Sequence, residues 1–243
     1  MRVFLLGNDY KGERLYNLSQ SERHYLFSVL RMEVNDVFTA KDKEGNTFKA
    51  FLFDESTLAL EETDNPEETL LDSLSSYKGP FADITMLVSL LKGKKNETEI
   101  RMLTEMGIKK IVLMETEFTE KGSHRLDRYG KIVREAVQQS GSAMPELCGP
   151  VPFHEALSMS KGRLLLMHQS ERNETLDIVK ALEGADAVTC LIGPEGGFSG
   201  KECAEAEEHG AQPVLLSTNI LRAETAAVYS AAVIQAILHS RQK

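Results

Sequence analysis

Two hydrophobic patterns divide the chain. In the first part, apolar positions come in short β-rich stretches, at residues 3–6, 36–41, 46–54 and 57–62, and a DKEG sequence ending in Gly45 supplies a turn between the second and third. Tyr25, Leu26, Val29 and Leu30 recur near the helical period, and Ser21 stands where it can cap a short helix bearing them. Several strands with one helix predict a small barrel-like domain.

Residues 64–80 carry Pro66, Gly79, Pro80 and many polar side chains, the composition of a linker, although Leu70, Leu71 and Leu74 offer local packing. Beyond Pro80 the pattern alternates. Apolar strands are predicted at 84–91, 110–114, 164–167, 187–192 and 214–216. Helices are predicted at 97–106, ending at Gly107, and at 126–139, 153–159, 176–182, 201–209, ending at Gly210, and 223–238. Unbroken apolar strands between helices indicate a parallel sheet covered on both faces, an α/β fold. The expected domains are 1–72 and 73–243.

Composition narrows the function class. The 243 residues contain 42% hydrophobic and 27% charged side chains, as in globular proteins. No apolar run approaches the roughly 20 residues of a membrane span. The opening MRVFLLGNDY has an apolar stretch too short for a signal peptide. Cys148, Cys190 and Cys203, odd in number and widely spaced, argue against a disulfide framework. A cytoplasmic protein is therefore expected. Without C-x-x-C or H-E-x-x-H, no metal site is expected either. The net charge of −9 opposes nucleic-acid binding. Its distribution weakens that objection: residues 54–72 hold eight acids and no Lys or Arg, whereas residues 92–134 hold eleven Lys/Arg against seven acids.

Two segments carry candidate chemistry. In LIGPEGGFS, residues 191–199, an apolar strand runs into a loop with three glycines and then a helix. Such glycines let backbone approach a ligand, and open α/β sheets bind ligands beyond the carboxyl ends of their strands. The loop lacks both the P-loop ending and the G-x-G-x-x-G spacing, so it reads equally as a ligand loop of unknown kind or as a tight turn. In NILRAETAAVYSAA, residues 219–232, Arg222 and Glu224 stand at a helix start, and no charge follows from Thr225 to Leu238. That helix is expected to be buried on several faces, its alanines allowing close approach of another segment or subunit.

GPEGGFS followed by ILRAETA resembles the C-terminal signature of the RsmE family of 16S rRNA (uracil-N3)-methyltransferases, within the SPOUT superfamily. His24-Tyr25-Leu26 with Val29-Leu30-Arg31 and the Asp36, Gly45, Phe48 region resemble its N-terminal domain. Lys92-Gly93 with Glu97, Thr104-Glu105-Met106-Gly107, Glu135-Ala136, and Gln139-Ser140-Gly141 with Pro145 follow in the family's order. The resemblance implies a PUA-like β-barrel joined to a SPOUT α/β domain whose C-terminal segment forms a trefoil knot. It implies a homodimer that transfers a methyl group from S-adenosyl-L-methionine to N3 of one uridine in 16S rRNA, on naked rRNA or an assembled small ribosomal subunit. Carried onto this chain, the cofactor loops comprise Met167, His168 and Gln169; Ile192, Gly193, Pro194, Glu195, Gly196 and Gly197; and Leu215, Leu216, Ser217, Ile220, Leu221 and Ala226. Three positions depart from the pattern: Met102 and Ser142 stand where basic residues are usual, and Ser217 where glycine is usual. The first two bear on RNA contacts and the third on one cofactor loop.

Removing the N3 proton leaves negative charge on the uracil oxygens, and a fixed guanidinium suits that charge. Arg222 is the first catalytic candidate, with Glu195 or Glu224 to accept the proton or orient it. Arg2, Arg23, His24 and Arg31 are the candidate RNA contacts of the first domain, although Arg31 could instead pair with Glu33 or Asp36. Three other readings remain: a SPOUT enzyme with a different RNA target, a non-catalytic RNA-binding assembly factor, and a small-molecule α/β enzyme. The last leaves the first domain without a purpose.

Overall fold

The computed structural model describes residues 3–62, 82–119, 126–167, 176–216 and 219–240. The linker read at 64–80 lies outside them. The chain divides into two compact units: Met1–Ser76 with Val137–Gly141, and Tyr77–Ala136 with Ser142–Lys243.

The first unit is built on β1 (Phe4–Leu5), β2 (Leu15–Asn17), β3 (Val37–Lys41), β4 (Thr47–Leu52) and β5 (Thr57–Glu62). They form one mixed sheet in the order β1-β3-β4-β5-β2, with β1 parallel to β3 and the other pairs antiparallel. Strand alternation sets its core: along β4, Phe48, Ala50 and Leu52 are buried while Lys49 is exposed. They pack with Phe4, Leu26, Phe38, Leu58 and Leu60.

The helix of this unit corrects the sequence reading. Ser19, not Ser21, caps α1 (Gln20–Arg23), because Glu22 at the third helical position returns the bond to the Ser19 N–H and completes a capping box. A π-helical turn, His24–Val29, follows, with Leu30 N–H donating to the Tyr25 carbonyl five residues back. The wider turn shifts the apolar face, so Leu26 is fully buried while Val29 is 52% exposed.

The second unit carries β6 (Asp83–Ser89), β7 (Lys110–Glu115), β8 (Glu146–Pro152), β9 (Arg163–Met167), β10 (Leu176–Asp177), β11 (Ala187–Ile192) and β12 (Gln212–Leu215). All pair in parallel, in the order β10-β12-β9-β11-β6-β7-β8. The helices are α2 (Lys95–Glu105), α3 (Leu126–Ser140), α4 (Phe153–Ser158), α5 (Ile178–Ala181), α6 (Gly200–Glu208) and α7 (Ala223–Ser240). Past their first residues the central strands β6 and β11 are buried, as strands covered on both faces must be.

Two elements differ from expectation. The helix read at 176–182 is shorter: residues 176 and 177 pair with β12, and the Asp177 carboxylate accepts the Val179 N–H (2.9 Å), capping α5. Strand β8 carries no strand signal in the sequence, because Gly149, Pro150 and Pro152 interrupt it. It survives at the sheet edge, where missing donors are tolerated, with a register shift against β7.

Candidate functional site

The carboxyl ends of β9, β11 and β12 open onto one cavity of about 440 Å³, within the size range of small-molecule sites. Met167 contributes from the end of β9. The loop after β11 contributes Ile192, Gly193, Pro194, Glu195, Gly197 and Phe198. Val214, Leu215 and Leu216 line it from β12, and Asn219, Ile220, Leu221 and Arg222 from the segment entering α7, which itself adds Ala223 and Ala226.

The glycine loop takes its shape from close packing. The Gly197 N–H donates to the Pro194 carbonyl (2.9 Å), and Gly197 has φ +74°, a conformation that favours glycine. At Gly193 a β-carbon would lie 3.2 Å from the Phe198 ring, which is tilted against Phe153 of α4 at 5.6 Å between centroids. Ser199 then starts α6 through a second capping box with Glu202, whose other oxygen accepts the Glu117 N–H (2.8 Å). Ser89 Oγ–H donates to the Ile192 carbonyl (3.0 Å), tying the end of β6 to the end of β11.

The charged groups are unequal. Glu195 and Arg222 line the cavity; Glu224 does not. Glu195 Oε1 accepts from Lys95 Nζ (2.7 Å) and from the Lys92 N–H (3.3 Å). Burial works against its ionisation, but these donors and its own N–H outweigh burial and hold the carboxyl below its ordinary range. Lys95 is correspondingly raised, by the hydrogen bond to Glu195 against the effect of burial, with the charge of Glu224 adding and that of Arg222 opposing. The Arg222 carbonyl accepts the Ala226 N–H (2.8 Å), so the guanidinium departs from the very start of α7. Glu224 Oε2 is buried without a hydrogen-bond partner.

Of the cofactor candidates, Gly196 is on the loop but not on the wall, where Phe118 packs against its α-carbon. His168, Gln169 and Ser217 lie outside the described residues, as does Arg2. Arg23, His24 and Arg31 are exposed in the first unit, along one segment, and among the described residues no ion pair joins Arg31 to Glu33 or Asp36. Met102 is 42% exposed on α2, and Ser142 is buried. Among the described residues, no group of three or more His, Cys, Asp or Glu is arranged to hold a metal, and no helix is long and apolar enough to cross a membrane.

Sequence reasoning missed part of this site. Phe198, Val214 and Ala223 complete the lining, and Lys95, Asn96 and Glu99 stand near Glu195 and Glu224. A signal for the α2 residues existed: Asn96, Glu99, Ile100, Leu103 and Thr104 fall on one helical stripe, so three polar residues share a buried face with two apolar ones.

A seven-stranded parallel sheet with a glycine-loop cavity at its carboxyl edge defines an α/β ligand-binding enzyme fold. A family model described as an RNA methyltransferase domain matches residues 77–235. Ribosomal RNA small subunit methyltransferase E of Synechocystis sp. is 31% identical, over 94% of this chain and 75% of that protein. The protein of the same name from Rickettsia conorii is 28% identical, over 96% of this chain and 94% of its own. A solved ribosomal RNA small subunit methyltransferase E from Neisseria gonorrhoeae, bound to S-adenosyl methionine, shares the fold with a TM-score of 0.81, at 24% identity over 98% of each chain. The chain belongs to the RNA methyltransferase family that contains ribosomal RNA small subunit methyltransferase E.

Proposed function

We propose that this protein is an S-adenosyl-L-methionine-dependent methyltransferase acting on N3 of a uridine in 16S rRNA of the small ribosomal subunit. The observation that carries the reading is the convergence of residues 192–195, 197–198, 214–216 and 219–223 on one cavity with Arg222 on its wall. The names and the bound ligand of the relatives support it.

The residues present fit the cofactor. Gly193 and Gly197 leave backbone without side chains along one wall, and Ile192, Leu215, Leu221 and Ala226 supply apolar surface for a nucleoside. When bound, S-adenosylmethionine supplies an electrophilic methyl group on a sulfonium. The chain's own residues do the rest. Arg222 holds a permanent positive charge beside the acceptor base and stabilises the negative charge that spreads onto the uracil oxygens as N3 loses its proton. Glu195 is the carboxylate on the wall and accepts that proton. Its pairing with Lys95 makes it a weak base, so Arg222 must lower the demand by stabilising the anion. Glu224, set off the wall, acts on Lys95 and not on substrate.

In this reading the first unit is a PUA-like barrel that positions RNA through Arg2, Arg23, His24 and Arg31, and the C-terminal segment is threaded as a trefoil knot. The protein works in the cytoplasm, where ribosomal RNA is. It works as a homodimer, for which Ile220, 83% exposed beside the cavity, supplies apolar surface. Arg222→Ala is expected to lower methyl transfer to small-subunit rRNA about 100-fold or more while affinity for S-adenosylhomocysteine changes little. Near-normal transfer by that variant would remove Arg222 from the mechanism. Nucleoside mapping of rRNA from cells lacking the protein checks the target: loss of 3-methyluridine is expected, and its persistence would overturn the assignment.

A further inference from the structure

A second polar layer stands near Glu195 and Arg222. Glu99 of α2 is 1% exposed. Its Oε2 accepts from Asn96 Nδ2–H (2.8 Å), and its Oε1 has no hydrogen-bond partner. Asn96 is itself committed: it donates to the Ser89 carbonyl (3.0 Å) and accepts the Leu91 N–H (2.7 Å), so it anchors Glu99 to the end of β6. Glu224 of α7 brings another buried, unpartnered carboxylate oxygen, and its charge reaches Glu99. Ionised carboxylates are acceptors only, and two of them in one dehydrated site repel. One proton relieves the repulsion by removing a charge, and a neutral carboxyl is far less costly to bury than an ionised one.

We propose that Glu99 is a positioning residue of the methyl-transfer site: a carboxylic acid kept neutral off the cavity wall, so that Glu195 keeps its pairing with Lys95. The inference rests on the function proposed above. The groups that act on Glu99 are Asn96 on its own helix, Glu195 from the loop after β11 and Glu224 at the start of α7, while its own charge reaches the phenol of Tyr129 on α3; the cations Lys95 and Arg222 are grouped with Glu195 and Glu224. The proton belongs on Glu99 for two reasons. It is the more deeply buried acid, and no cation is among the groups that govern its ionisation, whereas Glu224 acts directly on Lys95. Burial first, then the charges of Glu224 and Glu195, outweigh the Asn96 hydrogen bond and push the Glu99 carboxyl up to about 8. Above that pH, Glu99 adds its charge to those of Glu195 and Glu224, and the repulsion bears directly on the carboxylate of the cavity wall.

The test uses the full-length protein. Infrared titration should show a protonated-carboxyl stretch at neutral pH that disappears as pH rises through about 8 and is missing from Glu99→Gln. In Glu224→Gln, with one repelling charge removed, the band should vanish at lower pH. Affinity for S-adenosylhomocysteine, measured calorimetrically, should weaken in alkali by about tenfold, as a one-unit shift would give, while Glu99→Gln stays level. A spectrum of Glu99→Gln with the band intact, a midpoint unmoved by Glu224→Gln, or the same alkaline weakening in both proteins would overturn the inference. Failure of the parent protein to bind S-adenosylhomocysteine at any pH would instead overturn the methyl-transfer function, whereas loss of binding in Glu99→Gln alone would overturn the inference. Should Glu99→Gln fail to fold, the midpoint shift in Glu224→Gln decides.

Discussion

Single residues in the glycine loop fail for different physical reasons. Gly197 has open space around its α-carbon but a positive φ, so Gly197→Ala is opposed by the backbone alone, at about 1–2 kcal/mol. Gly193 has ordinary backbone but a crowded α-carbon, so Gly193→Ala must push the Phe198 ring. Both should weaken S-adenosylhomocysteine binding. Only Gly197→Ala should lower the melting temperature by the few degrees that 1–2 kcal/mol implies. Calorimetry and thermal melts on the two variants separate them, and equal melting losses would mean that Phe198 has no room to yield. This scale also shows what the sequence hides. The glycines announce themselves, since their spacing after an apolar strand is a local signal. Glu99 does so only in part: its place on the buried stripe of α2 is a local signal, but no local pattern marks a carboxyl as neutral.

At the scale of elements, the sequence read best where one force dominates. The central strands are apolar because both faces are covered, and β11 falls on the predicted residues. Reading failed where local chemistry competed with periodicity. Prolines hid β8, whose edge position makes them harmless. The turn at His24–Val29 takes a π-helical register that no 3.6-residue period anticipates. Asp177 looked like part of a helix and is its cap. Caps are nonetheless the most testable elements of the site. Ser199 holds the start of α6 directly after the glycine loop, through Glu202. Ser199→Ala should cost about 1 kcal/mol of stability, in the range of lost N-caps, as measured by denaturant unfolding. Glu202→Ala should cost more, because it also removes the hydrogen bond made by the part-buried Glu117 N–H. A smaller loss for Glu202→Ala than for Ser199→Ala would show that the Glu117 bond contributes nothing.

For the whole molecule, pH separates two contributions by sign. Glu99 has a folded-state pKa of about 8 against an ordinary value of 4.5, so the stability tied to its neutral form is complete below 4.5 and is lost as pH rises towards 8. Asp83 behaves oppositely. Hydrogen bonds from Lys109 and Lys161 (2.8 Å each) outweigh burial and hold it below its ordinary 3.8, so its contribution is present above that value and disappears as acid protonates it. The two lysines are about half exposed or more, which limits the Asp83 effect to about 1 kcal/mol or less. Glu99→Gln cannot ionise. Its stability advantage over the parent should therefore open between about pH 4.5 and 8 and stay constant beyond, whereas Asp83→Asn should differ from the parent at neutral pH and converge with it in acid. Unfolding free energies of the three proteins across this range test both assignments. A Glu99→Gln curve parallel to the parent's would mean that the carboxyl is already ionised at neutral pH. Burial and the charges around it would then be too weak to keep Glu99 neutral, and the positioning role argued for it would fall.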